Sequence, residues 1–108
     1  MNKEFDNFWS ELTSILNMPQ KISNWTKDNG FIGDDFRAQH KDRNSISCIL
    51  DSGKVIKVPQ VEFHEMYKKW GDYISGRLQR SDLRDQSHFT KYVISIIHQY
   101  LNLAEIKN

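Results

Sequence analysis

The sequence is poor in the residues that staple a small protein or carry it through a membrane. It holds one cysteine, Cys48, among 108 residues. An internal disulfide is therefore excluded, and so is a zinc site built on several thiolates. No apolar run is long: the longest, 92–103, is broken by Ser95, His98 and Gln99 and falls short of the roughly 20 residues that cross a bilayer. Met1-Asn2-Lys3-Glu4-Phe5 lacks a basic stretch leading into an apolar one, so no secretory signal is expected and the cytoplasm is the expected compartment. Charge of one sign is also scarce. The net charge is +1 and the pI about 7.9, below the value of about 9 that marks a domain-wide nucleic-acid footprint. No internal repeat and no low-complexity segment appears.

Aromatic residues, by contrast, are plentiful: six Phe, four Tyr and three Trp. Each can bury about 150–250 Å², which supports a core despite a low mean hydropathy of −0.69. The apolar fraction of 38% and the charged fraction of 27% are those of a globular protein. The length suits one domain spanning 1–108. Charge is unevenly spread. Residues 1–36 carry three lysines against six acids, a net of −3, and residues 37–59 carry five bases against two acids, a net of +3. An acidic front and a basic middle make a two-faced surface conceivable, although ordinary solvated faces account for both.

Phe5, Phe8, Trp9, Leu12, Ile15 and Leu16 fall at helical spacing and predict an amphipathic helix ending near Asn17, before Pro19. Pro19 then opens an expected second, short helix with Ile22 and Trp25 as apolar positions, stopped at Asn29-Gly30. The period changes in 36–58. Ile46, Cys48 and Leu50 alternate with their neighbours, Asp51-Ser52-Gly53-Lys54 reads as a hairpin turn, and Val55–Val58 runs back. Phe36–His40 is a candidate third strand. Phe63, Met66, Tyr67, Trp70, Tyr73 and Ile74 restore the helical stripe over 60–75, with Gly76 as its stop. Residues 77–88 read as a polar connection. Ser87 caps a last helix carrying Phe89, Val93, Ile96, Ile97, Tyr100 and Leu101, whose wide apolar girdle marks it as the most buried. The expected fold is α+β: a small antiparallel sheet of two or three strands, about 36–58, packed with N-terminal and C-terminal helices. A winged-helix arrangement has the same inventory, but two long helices follow this hairpin.

No catalytic, cofactor or metal constellation emerges. His64-Glu65 is followed by Met66-Tyr67-Lys68, so a lysine stands where an HExxH helix needs its second ligand. His40, His88 and His98 have no ligand spacing. Cys48 sits in a predicted strand with no cation nearby to lower its pKa, and reads as core filler. Asp34, Asp35 and Asp51 invite a nuclease reading, but Asp51 and Lys54 have the wrong spacing and lie on a turn. Gly53-Lys54 lacks the rest of a phosphate loop and leads into a strand.

The candidate binding segment is basic. Arg77, Arg80 and Arg84 are three and four apart and share a face of any helical turn, with His88 and Lys91 following at the start of the last helix. Cations around a helix N-terminus suit an anion such as a nucleic-acid phosphate. Pairing of these arginines with Asp72, Asp82 and Asp85 is the structural alternative. Trp9, Trp70 and Tyr73 lie on regular stripes and read as core. Trp25 does not, which makes it a candidate anchor for a partner, including a second copy in a homodimer.

Asn24-Trp25-Thr26-Lys27, the hairpin into Val58-Pro59, Trp70-Gly71-Asp72-Tyr73-Ile74-Ser75-Gly76-Arg77 with Arg80, and Thr90-Lys91-Tyr92-Val93 together resemble small α+β proteins of the mobile, integron gene-cassette type. That resemblance implies a compact accessory domain and supplies no catalytic residue. The functional expectation is a non-enzymatic module that contacts nucleic acid or a protein partner through the basic segment. The alternative is a small-ligand binder or small enzyme with a pocket between sheet and aromatic helices, using His64, His88 and Tyr92. A third is an antitoxin-like accessory protein acting through protein contact alone.

Overall fold

The computed structural model describes residues 3–27, 30–31, 33–79 and 89–107, and among these three helices and six short strands build an α+β architecture. Helix α1 spans Lys3–Ile15, α2 Gln60–Ser75 and α3 Thr90–Lys107. Strands β1 (Gln20–Ile22), β4 (Phe36–Gln39), β5 (Ser45–Ile49) and β6 (Val55–Pro59) form an antiparallel sheet in the order β1-β4-β5-β6. Strands β2 (Trp25–Thr26) and β3 (Gly30–Phe31) form a separate two-stranded ribbon.

The α+β class and the strands within 36–58 follow the pattern of the sequence, but the strand count does not. The segment after Pro19 is not a short helix. Its first part is an edge strand, with Ile22 opposite Phe36 and Gln20 opposite Ala38, and its second part pairs Trp25 with Phe31. Ile22 and Trp25 stand three apart in both conformations, and two anchors cannot distinguish a helix from two strand ends. Ile22 is fully buried in the sheet and Lys21 exposed, the alternation of a half-buried strand.

One face of the large sheet is buried. Ile22, Phe36, Ala38, Ile46, Cys48 and Val58 join Phe5, Phe8, Leu12 and Leu16 of α1, Phe63, Met66 and Tyr73 of α2, and most of 92–100 of α3 in one cluster. Residues 92–97 are buried almost all round the helix, so α3 is the central rod of the fold. The other face carries Lys21, Arg37 and Lys57, all exposed, and no described helix covers it. Helix α2 ends where expected, at Gly76, whose φ of 88° is left-handed and whose N–H donates to the Tyr73 carbonyl at 3.2 Å. No described helix is long and apolar enough to cross a membrane.

Candidate partner interface

Residues 23–27 carry backbone N–H groups that the large sheet does not use, and side chains from two helices take three of them. Gln99 Oε1 accepts from the Ser23 N–H at 3.1 Å while its Nε2 donates to the Lys21 carbonyl at 3.0 Å. The Ser95 hydroxyl accepts from the Trp25 N–H at 3.0 Å and lies 3.0 Å from the Lys91 carbonyl, to which it donates. The Tyr73 hydroxyl accepts from the Lys27 N–H at 2.9 Å. Ser95 and Tyr73 are fully buried or nearly so. The three hydrogen bonds are part-buried, where backbone donors shielded from water require partners, so these side chains hold the segment against α3 and the end of α2.

That clamp sets Trp25 on the surface of α3. Its indole lies over the His98 imidazole, ring centroids 3.7 Å apart and planes 7° from parallel. Trp70 of α2 tilts against the same indole at 6.4 Å, and Phe31 meets His98 edge-on at 5.9 Å. Trp25, Trp70 and His98 are half-buried, whereas Phe31 is 68% exposed. Ile74, one helical turn beyond Trp70, is 41% exposed. The result is an aromatic ridge built from β2, β3, α2 and α3. Burial holds the His98 pKa below its ordinary value, which keeps the ring neutral at pH 7 and suited to stacking. Trp25 stands out in the sequence because it lies off the regular apolar stripes. Phe31 and His98 are not, because one lies in an unpatterned loop and the other is 73 positions away from Trp25.

The basic segment is only partly described. Arg77 lies 3.1 Å from Asp72 Oδ1 and donates to the Ser75 hydroxyl at 3.2 Å, so it folds back on the end of α2. Lys91 is exposed, with its ammonium 5.1 Å from the neighbouring Tyr92 ring. Arg80, Arg84 and His88 lie outside the described residues.

His64, His40 and Cys48 all make internal contacts. His64 stacks on Phe5 at 4.5 Å, and His40 lies edge-on to Trp9 at 6.3 Å with its Nε2 3.3 Å from the Arg43 carbonyl. Cys48 is buried between β4 and β6, and desolvation pushes its thiol up to about 12. Among the described residues no group of three or more His, Cys, Asp or Glu side chains is arranged to hold a metal. No family model, curated protein or solved structure matches the chain.

Proposed function

We propose that this chain is a non-enzymatic binding module that docks a protein surface on the Phe31–His98–Trp25–Trp70 ridge, with a second copy of itself as the partner. The exposure of Phe31 carries this reading. A phenylalanine 68% open to solvent gains little where it stands. It is nevertheless paired with Trp25 across the ribbon and braced by His98. Rigid aromatic anchors of this kind dominate interface energetics. Sedimentation of the wild-type chain and Phe31→Ser tests it. A dimer whose dissociation constant rises about thirtyfold in the variant, the effect of losing one anchor of about 2 kcal/mol, supports the reading. A wild-type chain that stays monomeric at every concentration overturns self-association.

A second reading, nucleic-acid contact, is favoured by a different observation. The excess charge of residues 37–59 maps to the sheet face that no described helix covers, and to its turns. There Arg37 stands opposite Lys21 with no ion-pair partner among the described residues. Lys21 and Lys57 are held by Asp35 at 3.2 Å and Asp42 at 2.8 Å. A phosphate backbone laid on this face engages Arg37 first, with the Arg77–Lys91 segment as a further source of cations. Binding of a labelled mixed-sequence strand should then weaken as salt rises, and Arg37→Ala should reduce the slope by about one counterion.

A further inference from the structure

Asp34, Asp51 and Lys91 are far apart in sequence, and none has an ion-pair partner among the described residues. All three line one cleft of about 490 Å³ between the 33–35 loop, the β5–β6 turn and the start of α3. Asp35 also borders it, but is committed to Lys21 at 3.2 Å. The floor is apolar, formed by Phe36 and Leu50. Tyr92 packs edge-on against Phe36 at 5.3 Å, and only 7% of the residue is exposed.

The Tyr92 hydroxyl supplies an independent observation. It has no hydrogen-bond partner among the described residues. It is also not one of the sealed, unpartnered polar atoms, which among the described residues are the Ser45 and Ser47 hydroxyls. A phenol this buried, without a protein partner and not sealed off, opens to the cleft its residue lines. Buried polar groups ordinarily find a partner, and this hydroxyl, which no described protein atom takes, is open to one supplied through the cleft.

We propose that the cleft binds a small zwitterionic amine of the α-amino-acid class with an apolar side chain. Its ammonium lies toward the Asp34 and Asp51 carboxylates, and its carboxylate toward the Lys91 ammonium. Its side chain rests on Phe36 and Leu50, and the Tyr92 hydroxyl donates to the carboxylate. Unpaired charges of both signs around an apolar floor complement such a molecule, whereas a simple cation meets Lys91 and a simple anion meets two aspartates. Asn24 lines the same cleft and adds an amide NH2 able to donate, its Oδ1 lying 3.4 Å from the Ser95 hydroxyl.

The test is an NMR titration of the full chain with L-phenylalanine, N-acetyl-L-phenylalanine and phenethylamine, followed at the amides of the 33–35 loop, the 50–52 turn and Lys91–Tyr92. Saturable shifts with L-phenylalanine are expected, with affinity lower by about tenfold or more for each derivative lacking one charge. Asp51→Asn, on an exposed turn, should weaken L-phenylalanine binding by a similar factor, and Tyr92→Phe several-fold, with both folds verified by their unshifted remaining resonances. Equal binding of either derivative overturns the proposal. So does the absence of saturable shifts up to about 10 mM, beyond the range of a specific site of this size.

Discussion

Trp25 and His98 lie face to face with 3.7 Å between their ring centroids and 7° between their planes, although 73 positions separate them in the chain. The stack is the centre of the aromatic ridge and couples it to pH. Burial lowers the His98 pKa below the ordinary value of 6.5. A histidine whose folded pKa lies below its unfolded one binds fewer protons in the fold, so folding is favoured above the unfolded pKa. That contribution is complete above about pH 6.5 and is lost as pH falls from there through the lower folded value. Urea midpoints measured from about pH 7.5 down to about pH 5 should therefore decline. His98→Phe, which keeps a stacking ring and removes the titration, should decline less. An unchanged decline would place the sensitivity elsewhere.

Ser95 holds the same tryptophan by its backbone. Ser95→Ala leaves the Trp25 N–H without its acceptor at a position with no exposed surface. A stranded donor of this kind costs about 1–3 kcal/mol, readable as a lower urea midpoint at unchanged slope. The ridge should loosen as well, so tryptophan fluorescence in the folded variant should shift toward that of a more hydrated indole. A variant of wild-type stability would show that water replaces the serine.

Cys48 is an inert thiol. With its pKa pushed up to about 12 by burial, almost no thiolate is present near neutrality. A thiol-reactive chromogen should label the native chain only at the rate of unfolding and should label it at once in denaturant. Rapid stoichiometric labelling of the native protein would contradict the burial of this strand.

Gly76 closes α2 with a φ of 88°. Among the described residues a Cβ at that position would meet only the end of the Lys27 side chain, at an ordinary contact distance of 3.8 Å. The cost of Gly76→Ala is thus conformational, about 1–2 kcal/mol for a left-handed non-glycine residue, and appears in the urea midpoint. A larger loss would mean that the connection after α2 is displaced as well.

The parts of the fold legible in the sequence are those set by local periodicity. The stripes beginning at Phe5 and Phe63 bury one side of a helix wherever they are placed, and Gly76 is readable because only glycine takes a left-handed cap without strain. Alternation through Ile46 and Cys48 likewise announces a strand in a half-covered sheet. Residues 19–27 are different. Their conformation is settled by Phe36 and Phe31 across strand pairs and by Gln99, Ser95 and Tyr73 reaching in from helices 46 to 78 positions away. No local pattern encodes those partners.

The candidate sites divide in the same way. By itself the sequence determined the α+β class, the three long amphipathic helices, the central strands and the prominence of Trp25, since each depends on residues close in the chain. Only the tertiary structure decided that His98 and Phe31 join Trp25, that Arg77 folds back on Asp72, and that Asp34, Asp51, Lys91 and Tyr92 line one cleft. These groupings come from packing distant segments around α3. A surface made that way has no signature in spacing, because the distances that define it are measured through space and not along the chain.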